Sequence, residues 1–150
     1  MTRRVLNRSL SLFALCGSLL AMPALAAEPE MVMYQHPECG CCGKWADHMR
    51  ENGFRVQQVK TLEMVLVKSE AGVPPELGSC HTATIDGYIV EGHVPASDVQ
   101  RMLEERPAIV GISAPGMPLG SPGMEGPYPA ERYDVIGFDA RGSAYVFSSH

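Results

Sequence analysis

Cys39-Gly40-Cys41-Cys42 places three thiols within a four-residue stretch, and a further cysteine, Cys80, lies downstream. In its thiolate form cysteine attacks disulfides and binds soft metal ions. Glycine at 40 allows a tight fold in which Cys39, Cys41 and Cys42 converge on one point. Three chemistries use such a set. Two structural disulfides are the ordinary reading of an even cysteine number in an exported domain. A Cys-x-x-Cys redox pair would have Cys39 attacking and Cys42 resolving. A thiolate site for a soft ion would use all four sulfurs, and bridging thiolates could hold several Cu(I) ions. Spacing weighs against the first reading, because a Cys41–Cys42 bridge is strained and only one of the three clustered cysteines can comfortably reach Cys80.

Other donors surround this set. His81 follows Cys80 directly, and His36 lies three residues before Cys39. His93, in Glu91-Gly92-His93-Val94-Pro95, either faces the site or bonds a backbone carbonyl. His48 falls on a helix exterior and His150 ends the chain, so neither receives a role. Of the methionines, Met31, Met33, Met49, Met64 and Met102 fall on strand or helix faces and read as core. Met117 and Met124 instead occupy a Pro/Gly loop, in Pro115-Gly116-Met117-Pro118 and Ser121-Pro122-Gly123-Met124-Glu125. They are candidates to lie over the cysteines, and a thioether nearby tilts a thiolate site toward copper.

The elements that must position these residues follow from the pattern. Met31 to Gln35 reads as a buried strand, and His36 to Cys42 as a loop. Gly43 to Asn52 is helical, with Trp45 and Met49 stacked at i,i+4 and Gly53 as the stop. The cysteines thus sit at a helix start, where free N–H groups and the dipole favour thiolate. Phe54 to Val59 alternates as a strand. Thr61 caps a short helix whose Leu62, Val65 and Leu66 share one face, ending at Gly72 before Pro74-Pro75. His81 to Ile85 and Tyr88 to Val90 form a hairpin around Asp86-Gly87. Pro95 to Glu105 is a helix with Val99, Met102 and Leu103 inward; it starts either at Pro95 or through a Ser97–Gln100 capping box. Ile109-Val110 begins a short strand. Ser113 to Ala130 is a long loop, and Tyr133 to Phe138 with Ser143 to Phe147 make a last hairpin. The result is α/β (α+β): a thioredoxin-like sheet with flanking helices and an appended C-terminal hairpin. In that layout the Cys80 segment faces the cysteine-bearing helix start, where Ser79-Cys80-His81 stands in place of the usual cis-proline.

The first 26 residues read as an address. Arg3, Arg4 and Arg8 precede an apolar run from Leu10 to Met22, and Ala24-Leu25-Ala26 is an A-x-A cleavage site. That run of 13 residues falls short of the roughly 20 a membrane span needs. Cys16 leaves with the signal. Residues 27–150 form one domain, with 9 Lys+Arg against 17 Asp+Glu, a net charge of −8. That balance argues against nucleic-acid binding, which needs a basic face. The 45% hydrophobic content argues against disorder. An exported chain meets an oxidising compartment, here the periplasm.

Four segments together resemble the CopG-type periplasmic copper-resistance family. They are Tyr34 to Trp45, Ser79-Cys80-His81-Thr82-Ala83, Glu91 to Pro95, and Pro115 to Glu125. The resemblance spans Met31 to Phe147. It implies a thioredoxin-like fold and a multinuclear copper site on the thiolates of Cys39, Cys41, Cys42 and Cys80, with His81, Met117 and Met124 near it. The cargo implied is Cu(I), and the partners are copper ions and other periplasmic copper-handling or efflux proteins. Redox cycling of copper, a copper-dependent oxidoreductase activity, is one function consistent with this. The rival is a thiol–disulfide oxidoreductase serving copper-protein assembly.

Overall fold

The computed structural model describes residues 30–150, so the signal segment read over residues 1–26, Cys16 included, lies outside the described residues. A seven-stranded mixed sheet organises the chain. Its strands are β1 (Glu30–Gln35), β2 (Arg55–Lys60), β3 (His81–Ile85), β4 (Tyr88–Gly92), β5 (Gly111–Ala114), β6 (Asp134–Phe138) and β7 (Ala144–Ser149). They lie side by side in the order β2-β1-β3-β4-β5-β6-β7. The helices are α1 (Gly40–Glu51), α2 (Met64–Glu70) and α3 (Ala96–Glu105), with a single 3₁₀ turn at Pro75–Leu77. Strands β1 and β2 run parallel across α1, and β4 and β5 run parallel across α3. The β3–β4 hairpin joins these halves, and the β6–β7 hairpin extends the sheet from β5. This is a thioredoxin-like α/β architecture with an added C-terminal hairpin.

Alternation along the strands divides the core in two. Met31, Met33, Ala83, Ile85, Tyr88, Val90 and Ile112 point to the face covered by α1 and α3, against Trp45, Met49, Val99 and Met102. Ile89 and Phe138 point to the other face, where Val73 and Leu77 cover them. Every residue of β4 is buried, as expected of a strand covered on both sides. The hairpin turn at Asp86-Gly87 has both residues at positive φ, 49° and 85°, the conformation a two-residue turn requires.

Most strand ends shift by one or two residues from the sequence reading, and three boundaries change the picture more. Helix α1 begins at Gly40, not Gly43, because Cys39 takes the extended backbone of an N-cap (φ −76°, ψ 98°). That shift puts Cys41 and Cys42 inside the first turn. Helix α3 is preceded by Pro95 as its N-cap, and no side-chain cap forms, so the Ser97–Gln100 box is absent. The short strand starts at Gly111, after Ile109-Val110, and continues through Ser113, which shortens the long loop.

Helix α2 departs further. It runs only from Met64 to Glu70, although Thr61 Oγ1 does accept the Glu63 N–H at 3.0 Å. The apolar residues expected to face inward are outside: Leu62, just before the helix, is 73%, Val65 86% and Leu66 53% exposed. Met64, expected in the core, is only partly covered. The physical reason is the anchor. The ammonium of Lys68 pairs with the buried carboxylate of Glu91 on β4, so the Lys68 side of α2 faces the sheet and the Leu62 side faces away. A hollow of about 350 Å³, lined by Val67 and Ala71 above Tyr34, Thr82 and Ile89, remains beneath.

Candidate metal centre

The turn between β1 and α1 closes through the Cys39 N–H, which donates to the His36 carbonyl at 3.0 Å. Cys39 then caps α1, and Cys41 and Cys42 ride its first turn. Cys42 faces the core and is fully buried, whereas Cys41 is partly exposed. Cys80 enters from the residue before β3. The sulfurs of Cys39, Cys41, Cys42 and Cys80 all lie within 4.8 Å of one another. Cys39 and Cys42 are joined in a disulfide, while Cys41 and Cys80 are free. Cys41 Sγ lies 3.6 Å from Cys39 Sγ and 3.9 Å from Cys80 Sγ. Cys80 Sγ lies 3.6 Å from Cys42 Sγ. Two structural bridges are therefore not formed, and the bond present is the Cys-x-x-Cys pairing.

Two histidines complete the cluster. His81 Nδ1 is 3.2 Å and His93 Nε2 3.0 Å from Cys80 Sγ. The other nitrogen of His93, Nδ1, donates to the Pro122 carbonyl at 2.8 Å. That bond places the proton on Nδ1 and aims the Nε2 lone pair at the sulfur. His93 thus does both things the sequence left open. His81 packs against Trp45 with ring centroids 4.4 Å apart and the planes tilted by 46°, and it meets His93 edge-on at 5.0 Å. Its Nε2 is buried with no hydrogen-bond partner among the described residues. Burial first, then the neighbouring His93 and Lys68, holds the His81 imidazole well below its ordinary pKa. Burial likewise lowers His93. Both rings are neutral donors near neutral pH. Burial, reinforced by Cys41, pushes the Cys80 thiol up to about 12, so without an electrophile or cation nearby this thiol keeps its proton.

His93 was findable from the hairpin. A two-residue turn at Asp86-Gly87 fixes an antiparallel register that pairs Thr82 with Glu91 and Ala83 with Val90. Extending it two steps places residue 80 across from residue 93. The same register seats Glu91, whose carboxylate accepts the Ser79 N–H at 2.6 Å and the Thr82 hydroxyl at 2.6 Å.

The Pro/Gly loop lies over this cluster. A Cβ on Gly123 would come within 2.8 Å of Trp45 N and 2.9 Å of the Cys41 carbonyl, so the loop sits directly on the first turns of α1. Met124 and Cys41 line one open hollow of about 470 Å³, with Lys44 and Tyr128. Met117 does not line it and is 54% exposed. His36 turns its Nδ1 to the Glu38 N–H at 3.3 Å. His48 accepts the Ala96 N–H at 3.2 Å, a structural role at the start of α3. His150 bonds Asp98 at 2.7 Å and ties down the last strand.

The donors suit a soft or borderline ion: sulfur and neutral imidazole, with buried walls. Cys80, His81 and His93, whose ligand atoms lie within 4.8 Å of one another, could hold one in the present disulfide state. Cys41 Sγ lies 3.9 Å from Cys80 Sγ, and Cys39 and Cys42 add sulfurs once reduced.

Sheet order, helix placement and a thiol cluster at the start of α1 define a thioredoxin-like protein with a cysteine-rich site. Two solved structures, forms 2 and 1 of a copper resistance protein CopG, match the chain at 44% and 45% identity with TM-scores of 0.78 and 0.77. Each match covers 82% of this chain and 98% of the other. The chain belongs to the CopG family. Residues 77–124 also match a family described as a protein of unknown function, DUF411. No curated protein matches. Among the described residues no helix is long and apolar enough to cross a membrane.

Proposed function

We propose that this chain binds Cu(I) as cargo in a thiolate-bridged cluster and acts in copper resistance after export to the periplasm, the signal being cleaved near Ala26. The observation that carries the reading is the convergence of four sulfurs within 4.8 Å of one another, one from a segment distant in sequence. Thiolates select Cu(I), and a sulfur shared between ions permits more than one ion in so small a space. The likeness of fold and sequence to two solved structures of a copper resistance protein supports a role in copper resistance. A cluster that exchanged single electrons with a partner would interconvert Cu(I) and Cu(II). The test is anaerobic loading of the reduced protein, followed by copper quantification and X-ray absorption. Expected are several retained ions with sulfur neighbours and a short copper–copper vector. Protein that desalts free of copper overturns the reading. Absence of a reversible voltammetric wave in the loaded protein removes the redox role and leaves sequestration.

The Cys39–Cys42 disulfide favours one second reading, a thiol–disulfide oxidoreductase for copper-protein assembly. Cys80→Ser separates the two. An oxidoreductase keeps its dithiol chemistry through Cys39 and Cys42, whereas the copper site loses ions.

A further inference from the structure

We infer that the disulfide form of this chain is itself a metal-binding state, with a mixed site of Cys80, His81 and His93 for a single Cu(I) ion and Cys41 as the neighbouring free thiol, and that the Cys39–Cys42 bond sets the capacity of the centre. The inference rests on the copper reading above and adds to it the two histidines and the dependence on disulfide state.

Three observations carry it. First, closing the disulfide removes two sulfurs from coordination but leaves Cys41 and Cys80 free, 3.9 Å apart. Second, both imidazoles already converge on Cys80 Sγ, at 3.2 and 3.0 Å, with His93 in the tautomer that offers its lone pair. A ligand histidine ordinarily donates its second N–H to a carbonyl or carboxylate, which fixes ring and tautomer. The Pro122 carbonyl does this for His93, and Gly123 holds that loop against α1. Third, His81 is fully buried and turns Nδ1 toward Cys80 Sγ, while its Nε2 has no hydrogen-bond partner among the described residues. Leaving a buried polar nitrogen without a partner is costly, and an apolar side chain against Trp45 would avoid that cost, so the imidazole is explained by a use for Nδ1 beside the cysteine.

Opening the disulfide is a two-electron step. A dithiol reductant attacks, the Cys39–Cys42 bond breaks, and a disulfide forms in the reductant. Its two hydrogens end on the Cys39 and Cys42 sulfurs. The centre then offers four sulfurs where it had two, and the mixed site grows into the cluster. Copper capacity thereby follows the thiol redox state of the compartment.

The experiment uses two preparations of the full mature protein, distinguished by counting free thiols: the disulfide form and the dithiol-reduced form. Each is titrated anaerobically with Cu(I) against a chromophoric chelator, and each is examined by X-ray absorption. The disulfide form is expected to retain about one Cu(I) per chain with nitrogen and sulfur neighbours, and the reduced form to retain more, with sulfur dominant. His93→Asn keeps a donor for the Pro122 carbonyl and removes Nε2. It should weaken the disulfide form at least about tenfold and change the reduced form little. A disulfide form that binds nothing, beside a reduced form that loads normally, overturns this inference and leaves the proposed function standing. Failure of both forms to bind overturns both. Should His93→Asn misfold, the wild-type absorption spectrum decides alone: sulfur-only scattering in the disulfide form rejects the histidines.

Discussion

The buried carboxylate of Glu91 accepts the backbone N–H of Ser79 at 2.6 Å, and through that bond it fixes the residue that precedes Cys80. The same carboxylate meets the Lys68 ammonium and the Thr82 hydroxyl. One side chain on β4 thus secures α2, β3 and the cysteine segment together. Removing one member of a buried ion pair strands the other, at a typical cost of about 3–5 kcal/mol. Lys68 retains 21% side-chain exposure and can turn partly to water, so the lower end applies. Glu91→Ala should cost about 3 kcal/mol in urea unfolding, and Glu91→Gln, which still accepts the Ser79 N–H, about half of that. A loss below about 1 kcal/mol for the alanine variant would show that the carboxylate does not hold this junction.

Gly123 reports on the loop over the site. Its φ is +84°, and a Cβ there would press on backbone atoms of Trp45 and Cys41, which cannot turn aside as a side chain can. Gly123→Ala therefore combines an unfavourable backbone with overpacking, about 1–3 kcal/mol in all. The loop must lift from α1, carrying Met124 with it. Cys41, partly covered at present, should then react faster with a thiol reagent, and thermal melting should fall by several degrees. Unchanged Cys41 reactivity would mean that the loop does not shield it.

Most of the frame could be read from residue types because local rules agreed with the fold. Asp86-Gly87 set a two-residue turn, Met31 and Met33 alternated onto the core, and Trp45 with Met49 marked the buried stripe of α1. The site was readable as far as it was local. Cys39, Cys41 and Cys42 are close in sequence, and Cys80 was placed by the layout. His93 required extending the hairpin register beyond the paired residues, a step that depends on geometry rather than on composition. Helix α2 misled for a different reason. Leu62, Val65 and Leu66 carry a helical apolar stripe, but the buried pair of Lys68 with Glu91 decides which side meets the sheet. Such a pair joins residues far apart in sequence, and no window along the chain contains it.

The two loop methionines separate cleanly. Met124 lines the hollow it shares with Cys41, and Met117 stands 54% exposed away from it. Leucine replaces either with little change of volume and removes the thioether. Met124→Leu should weaken Cu(I) retention about two- to tenfold, measured by chelator competition, if the sulfur serves as an entry ligand. Met117→Leu should leave retention and stability unchanged. Equal losses from both would assign the effect to loop packing instead.

Tyr133 supplies the pH dependence. Burial, then the carboxylates of Asp98 and Glu125, raises its phenol from 10.0 to about 12. The ring also stacks on His150 at 5.1 Å, and His150 bonds Asp98. The folded chain therefore keeps a proton that the unfolded chain releases between those values. The sign follows: stability from this group is complete below pH 10.0 and is lost as pH rises toward 12. The ring is only half-buried, and solvent screening reduces the effect to about 1–2 kcal/mol. Tyr133→Phe cannot ionise, so its urea midpoint should fall less than that of the wild type between about pH 9 and pH 11. Equal alkaline losses in the two proteins would place the titrating group elsewhere in the chain.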